Sequence, residues 1–413
     1  MTLNMNWQHQ PSPDPFRGDL RTRVRTKDCT KNVHERIETM TISATSTIAV
    51  KDLPNVGLPR DAYVSPDWFQ LEKDTFFSKR WHYVGHVSQL AKPGDFIKFD
   101  FADYSVIVTR NRSGDLNALH NVCRHRGSRL VDAEEGNCKR AFVCQYHAWS
   151  YDHDGELMSA PRMQADFDKS AYPLKRAAVD VWAGLVFVNL SENPETTVAE
   201  HLAAADLSQY QLDRTRVAWD VKKILNCNWK VLWENGLECY HCAVNHPEVS
   251  KVVRVERDGP LSDTIPDGDF DWTDDYPLLD ESLTIDGKFG VKKMLGDPNN
   301  PPTRASYVSW HTGSLEVVVL PDYVKITTYK PLTATTTESR VIGLVAADAV
   351  EGVDYDLAHL REVSIATRGQ DDVLCELIQR GLNSPAYEPG PFNDTYETIN
   401  RNFKRLYLEA IGR

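Results

Sequence analysis

No apolar run in this 413-residue chain approaches the length of a membrane span, and the stretch from Val181 to Leu190 is only strand length. Positive charge is not in excess either. The formal net charge of −12 argues against nucleic acid or an anionic membrane as a partner, and is compatible with a cationic small substrate. The eight cysteines do not make a disulfide framework, since Cys29, Cys138, Cys227 and Cys375 each stand alone in sequence. Free thiols are expected in a reducing cytoplasm, and the N-terminus lacks a signal-peptide pattern. No internal repeat is visible.

The length suits two or three domains with separate cores. Residues 1–39 are rich in basic residues such as Arg21, Arg23 and Arg25, yet also carry Asp14, Asp19 and Glu35, which a transit peptide would lack. Residues 1–50 are therefore expected to form a disordered or weakly docked extension. From about Tyr63 the pattern turns globular, with a short helix from Pro66 and strands over Phe96–Asp100 and Tyr104–Thr109. The second half predicts a helix over Asn228–Ala243 and a long excursion over 258–302 that could form a lid. Strands follow at Leu315–Leu320, Tyr323–Tyr329 and Ser339–Ala347. A helix from about Asp354 is expected to break at Arg368-Gly369, and Tyr396–Gly412 reads as a last amphipathic helix.

Among what is present, two pairs of metal-type ligands stand out: Cys123-Arg-His125, then eighteen residues, then Cys144-Gln-Tyr-His147. A zinc finger runs Cys-Cys then His-His. Here each short loop offers one thiolate and one imidazole, which suits two facing loops that each give one ligand to each iron. A Rieske [2Fe–2S] cluster, with Cys₂ on one iron and His₂ on the other, has this ligand set.

A second constellation lies in Glu238-Cys-Tyr-His241-Cys-Ala-Val-Asn-His246-Pro247. Non-haem iron oxygenases hold Fe(II) with two histidines and one carboxylate, leaving positions open for O₂ and substrate. In one continuous helix His241 and His246 would differ by about 140°. They converge if the helix ends between them, and Pro247 supplies a reason, because the residue before proline avoids α geometry. Cys239 and Cys242 spell Cys-x-x-Cys, but interleaved with the histidines they are expected to pack against neighbouring elements. For the third ligand, Asp371 and Asp372 are equal candidates after the expected break at Gly369, where the helix dipole favours a carboxylate.

Cys123-Arg-His125-Arg126-Gly127, Cys144-Gln-Tyr146-His147-Ala-Trp149 and the run from Asn228 through Glu238 to His241 resemble Rieske non-haem iron oxygenase catalytic (alpha) subunits. The resemblance spans about residues 55–400. It implies an α+β chain: an N-terminal all-β Rieske [2Fe–2S] domain over 51–195, and a C-terminal helix-grip catalytic domain with an antiparallel sheet over 196–413. It also implies a homotrimer in which the cluster of one subunit feeds the iron of its neighbour. Glu238, where ring dioxygenases usually have Asp, makes the chain similar to the quaternary-ammonium branch, which acts on glycine betaine, proline betaine (stachydrine) and carnitine. So do Ala347–Asp356 and Gln370–Ser384. In that likeness Asp371 takes the iron-ligand position.

The resemblance implies O₂-dependent N-demethylation of a betaine with release of formaldehyde. His147 would donate a hydrogen bond across the subunit interface to Glu238, which touches His241. The chain has no Gly-x-Gly-x-x-Gly loop and no plant-type ferredoxin spacing, so a separate NAD(P)H-dependent flavin/iron–sulfur reductase is implied. Tyr307, Trp310 and Tyr323 are candidates to face a quaternary ammonium group, with core packing as the competing role. The alternatives are an aromatic-ring hydroxylating oxygenase subunit and an electron-transfer Rieske protein.

Overall fold

The computed structural model describes residues 47–49, 53–254, 264–266 and 269–413. The expectation for the N-terminal extension therefore lies outside the described residues, apart from β1 (Thr47–Ala49). That strand pairs antiparallel with β13 (Thr264–Pro266).

The first half enters through α1 (Asp61–Val64) and α2 (Pro66–Thr75). Ser65 caps α2 by accepting the Trp68 N–H, and Pro66 sits in the first turn, where it sacrifices no hydrogen bond. A seven-stranded antiparallel sheet follows, built from β2 (Trp81–His86), β3 (Asp95–Phe101), β4 (Tyr104–Arg110), β5 (Leu116–His120), β6 (Glu135–Asn137), β10 (Arg176–Trp182) and β11 (Leu185–Asn189). Its strand order is β2-β11-β10-β5-β4-β3-β6. A small three-stranded sheet of β7 (Phe142–Val143), β8 (Ser150–Tyr151) and β9 (Leu157–Ser159) packs with it around Ile107, Leu119, Trp149 and Tyr151.

After α3 (Val198–His201) the second half is one six-stranded antiparallel sheet in the order β12-β18-β17-β16-β15-β14. Its strands are β12 (Thr215–Leu225), β14 (Phe270–Thr273), β15 (Ser306–Trp310), β16 (Leu315–Val319), β17 (Val324–Thr333) and β18 (Thr336–Ala346). Side chains alternate between the two faces. Leu315, Val317, Val324 and Ile326 enter a core shared with Trp81 and Phe187, while Glu316, Val318, Lys325 and Thr327 line a cavity on the other face. Across that cavity runs α6 (Leu357–Leu382), which together with α4 (Trp229–Gly236), α5 (Cys242–Asn245) and α7 (Thr398–Ala410) completes the half.

Two helix expectations are corrected. The helix expected over Asn228–Ala243 stops at Gly236, because Glu238 turns back to accept the backbone N–H groups of Tyr240 and His241, a local alternative to helical bonding. The break expected at Arg368-Gly369 is absent, and α6 runs unbroken for 26 residues. Gly369 lies where nothing crowds it, and the packed faces on either side hold the turn against its roughly 1 kcal/mol propensity cost. The described part of the expected lid is pinned rather than loose: Ser282 Oγ and the Gly290 N–H each donate to Asp322 at 2.8 Å.

Candidate metal centres and cavity

The first donor set sits on two loops with parallel construction. In one, the Cys123 N–H donates to Ser128 O (2.8 Å) and the Gly127 N–H to Cys123 O (3.0 Å), closing a turn that needs Gly127 at φ 78°. In the other, the Cys144 N–H donates to Trp149 O (2.8 Å) and the Ala148 N–H to Cys144 O (2.9 Å). Asn121 ties down the first loop by accepting from the Leu130 and Val131 N–H groups. The result is asymmetric: Cys123 and Cys144 are buried, while His125 and His147 are exposed.

The imidazoles of His125 and His147 face one another with centroids 4.6 Å apart, and Trp149 stacks on His125 at 4.8 Å. Tyr151 OH lies 3.5 Å from Cys123 Sγ and accepts the Arg124 N–H. Burial opposes a thiolate at Cys144, but the backbone N–H groups of Tyr146 and His147, with Cys123 and Ser128, outweigh it and hold the thiol below its ordinary pKa. Two thiols inside and two imidazoles outside can hold a [2Fe–2S] cluster with its histidine-bound iron toward the surface.

The second donor set forms where α4 ends. His241 precedes α5 and His246 follows it, so the short helix separates them and turns both inward, with ring centroids 5.1 Å apart. This corrects the expectation that His241 lies on the last turn of a long helix. His246 adopts φ −120°, ψ 73°, as the restriction before Pro247 requires. Asp371, in the middle of α6 rather than at a helix start, brings Oδ1 to 2.9 Å from His246 Nε2 and 3.4 Å from His241 Nε2. Asp372 points to the other side and meets Lys223 Nζ at 2.6 Å.

Each imidazole is held from behind. His241 Nδ1 meets Glu238 Oε1 at 2.5 Å, and His246 Nδ1 meets Gln370 Oε1 at 2.8 Å, with Gln370 in turn donating to Glu248. These partners place the N–H on Nδ1 and leave Nε2 for a metal. Asp371 Oδ1 is buried, and despite its two close neighbours no N–H is aimed along either line. Two imidazole nitrogens and an orphaned carboxylate oxygen converging on one point fit a divalent metal. Asn235 Nδ2 also approaches His241 Nε2, at 3.1 Å.

Cys242 lies close enough to compete, since its sulfur and the two histidine donors fall within 4.8 Å of one another. Contact with Cys239 and burial push its thiol far up, whereas Asp371 is held at about 2: burial opposes its charge, but His241 and His246 outweigh it. The ionised carboxylate is the better third donor. Of the Cys-x-x-Cys pair, Cys242 packs into the core as expected, while Cys239 is exposed.

A cavity of about 220 Å³ opens beside this focus, between the sheet and α6. Of the three aromatic candidates only Tyr307 lines it. Trp310 is buried on the opposite sheet face, and Tyr323 donates to Leu283 O within the core, so core packing is their role. The cavity also holds Tyr276, whose ring lies 5.9 Å from that of Tyr307, and Glu316, Lys325 and Arg368. Sequence reasoning missed these. The available signal was polar residues at alternate positions of otherwise apolar strands.

A Rieske-type donor set on a β-domain and a two-histidine, one-carboxylate focus in a helix-and-sheet domain define a two-centre iron oxygenase subunit. Comparison with known proteins agrees. Residues 203–413 match the family described as ring hydroxylating alpha subunit (catalytic domain), and residues 80–181 match the Rieske [2Fe-2S] domain. The chain is 36% identical over 392 residues to the glycine betaine monooxygenase oxygenase subunit of Pseudomonas aeruginosa (strain UCBPP-PA14), covering 86% of this chain and 89% of that one. It is 34% identical over 208 residues to the carnitine monooxygenase oxygenase subunit of Escherichia coli (strain K12), covering 48% and 54%. A solved quaternary ammonium Rieske monooxygenase in complex with gamma-butyrobetaine matches at TM-score 0.68 and 26% identity, covering 87% of this chain and 96% of that one. Naphthalene 1,2-dioxygenase shares the fold at TM-score 0.59 and 18% identity, covering 89% and 95%.

The chain belongs to the Rieske non-haem iron oxygenase alpha subunits, and its relatives include the quaternary-ammonium branch. It is an oxidoreductase whose cofactors are a Rieske [2Fe–2S] cluster and mononuclear iron, with O₂ as co-substrate. The catalytic domain excludes a bare electron carrier. Among the described residues no helix is long and apolar enough to cross a membrane.

Proposed function

We propose that this chain is the oxygenase component of a monooxygenase that oxidatively N-demethylates a quaternary ammonium betaine, glycine betaine or proline betaine, with electrons from a separate NAD(P)H-dependent flavin/iron–sulfur reductase. In this reading Cys123, His125, Cys144 and His147 hold the cluster in a domain spanning 51–195. His241, His246 and Asp371 hold the iron in a domain spanning 196–413. When bound, that iron supplies O₂ activation beside the substrate. Hydroxylation of one N-methyl group, with two electrons and two protons consumed and one water formed, gives R₃N⁺–CH₂OH. That product expels formaldehyde and a proton, leaving the tertiary amine.

The observation that carries the substrate class is the cavity itself. Two tyrosine rings suit a quaternary ammonium group through cation–π attraction, and charged residues line the same small space. A volume below the roughly 300–1,000 Å³ of drug-sized sites favours a small substrate over a polycyclic one. The likeness to glycine betaine monooxygenase over most of both chains supports the same reading.

A homotrimeric ring fits the distribution of exposed apolar side chains. Val122, Val143 and Tyr146 are exposed next to the cluster donors in sequence and Met158 is exposed on β9, while Tyr240 and Val244 are exposed in the segment that carries His241 and His246. Two different patches that mate head to tail generate a closed ring. Glu238 is then the positioning residue that receives the hydrogen bond from a neighbouring subunit's exposed His147 and passes contact to His241.

The test is NADH-dependent formaldehyde release by the reconstituted oxygenase and reductase, with glycine betaine, proline betaine and carnitine compared. Formaldehyde in one-to-one ratio with NADH is expected from a betaine. Its absence with all three, together with a hydroxylated aromatic product from an aromatic acid, would transfer the reading to ring hydroxylation.

A further inference from the structure

Two opposite charges line the cavity floor, and neither is neutralised by a partner of its own. Glu316 on β16 and Lys325 on β17 lie on the same face of neighbouring strands, in adjacent cross-strand rows: Ser309–Glu316–Thr327 and Tyr307–Val318–Lys325. Such diagonal positions stand about 7–8 Å apart. The two charges attract one another, yet they form no ion pair among the described residues. Glu316 accepts one hydrogen bond, from Tyr307 OH at 3.2 Å. The Lys325 ammonium makes none among the described residues, although the side chain is largely enclosed.

Of the other charges that line the cavity, Glu238, Arg368 and Asp371 are engaged, and Arg254 is the one remaining cation among the described residues. Arg368 donates to Ser339 and lies 5.7 Å from the Tyr329 ring centre. Asp371 Oδ1 stands at the metal focus, 2.9 Å from His246 Nε2 and 3.4 Å from His241 Nε2. Burying a charge without a close partner is costly, and a purely structural pair would have closed on itself. Burial raises the Glu316 carboxyl pKa and lowers that of the Lys325 ammonium, so each charge is short of solvation.

We propose that Lys325 and Glu316 read the two charges of a zwitterionic substrate, the Lys325 ammonium taking its carboxylate while Glu316 and the Tyr276–Tyr307 pair take its quaternary nitrogen. This rests on the quaternary-ammonium reading above and narrows it. The substrate must carry a carboxylate, so choline, which has the same head group but a hydroxyl end, is discriminated against.

The test is calorimetric binding to anaerobic, iron-loaded holoenzyme of three probes: glycine betaine, choline, and 3,3-dimethylbutanoate, the carbon isostere without the positive charge. Wild type is expected to bind glycine betaine most tightly. Lys325→Met is expected to weaken glycine betaine about 10- to 100-fold, leave choline unchanged or tighter, and be partly rescued by Lys325→Arg. Glu316→Gln is expected to weaken glycine betaine and choline while sparing 3,3-dimethylbutanoate. The cluster spectrum and thermal midpoint of each variant report folding, and the wild-type ligand series alone tests the proposal if a variant does not fold.

Equal affinity of wild type for glycine betaine and choline overturns this inference and leaves the quaternary-ammonium reading intact. So does an equal loss of all three probes in Lys325→Met. Binding of none of the three by wild type overturns the quaternary-ammonium reading itself.

Discussion

Glu238 Oε1 lies 2.5 Å from His241 Nδ1, three residues along the chain, in a loop that the same carboxylate folds by accepting two backbone N–H groups. One side chain thus shapes the loop and fixes the imidazole tautomer. Glu238→Gln removes the charge and replaces one acceptor oxygen by an NH₂ group, so it cannot accept from the two backbone N–H groups and from His241 Nδ1 together. With iron supplied in excess, to offset the 10- to 100-fold affinity loss usual for such partners, the variant should keep its cluster spectrum and lose coupled turnover. Reoxidation of the reduced cluster by O₂ in the presence of substrate measures this, and a wild-type rate would remove Glu238 from the electron path.

Asp371 and Asp372 are neighbours with separate tasks. Asp371→Ala should reduce iron from about three to about two atoms per chain with the cluster spectrum unchanged. Asp372→Asn should keep all of it. It gives up an ion pair with Lys223, which is 59% exposed, so the stability cost should stay below about 1 kcal/mol. Metal analysis of the two variants distinguishes them, and iron loss in Asp372→Asn would reassign the ligand.

In the chain stripped of metal, burial opposes charge on His241, but Asp371 and Glu238 outweigh it and raise its pKa from 6.5 to about 10. A pKa raised on folding contributes stability that is fully present below pH 6.5 and lost as pH rises through about 10. Chelated protein should therefore resist urea better near pH 6.5 than near pH 10, and Asp371→Asn should shrink that difference. Iron must displace this proton, so its affinity should fall as pH is lowered, by about tenfold per unit for each proton displaced. Proton release on iron addition, followed in two buffers of different ionisation enthalpy, measures the count.

If electrons pass between subunits, two dead chains should rescue one another. His147→Ala disables the cluster, and Asp371→Ala disables the iron. In a randomly mixed three-membered ring, roughly a quarter of the interfaces pair an intact cluster with a neighbour's intact iron. Co-expressed variants should recover activity of that order, whereas each variant alone should have none. No recovery from a confirmed mixed oligomer would argue for transfer within one chain.

Glu72 and Lys230 form a buried ion pair between α2 and α4, each side chain with 0% exposure. Trp229 Nε1 and Tyr407 OH also donate to Glu72, which ties α7 to the same point. Glu72→Ala leaves an ammonium buried without its partner and should cost about 3–5 kcal/mol. Urea unfolding followed by tryptophan fluorescence measures the loss, and a change under 1 kcal/mol would show that water relieves the stranded Lys230.

The sequence alone carried the cluster loops, the histidine pair and three of the six strands of the second sheet. Each is a local pattern: donors no more than five residues apart, turns closed by hydrogen bonds inside the loop, side chains alternating with period two. Even there it placed the end of α4 too late, because Glu238 competes with the helix for backbone N–H groups, a role that residue type does not reveal.

Tertiary structure decided the rest. His246 and Gln370 stand 124 residues apart yet share a 2.8 Å contact, and the same approach brings Asp371 to both imidazoles and turns Asp372 away. Local spacing made those two aspartates equivalent. The family likeness singled out Asp371, and the physical reason is the rotation of α6 against the sheet, which is set by which of its faces packs. The Glu316–Lys325 floor likewise exists only because β-sheet register places alternate residues of two strands opposite that helix.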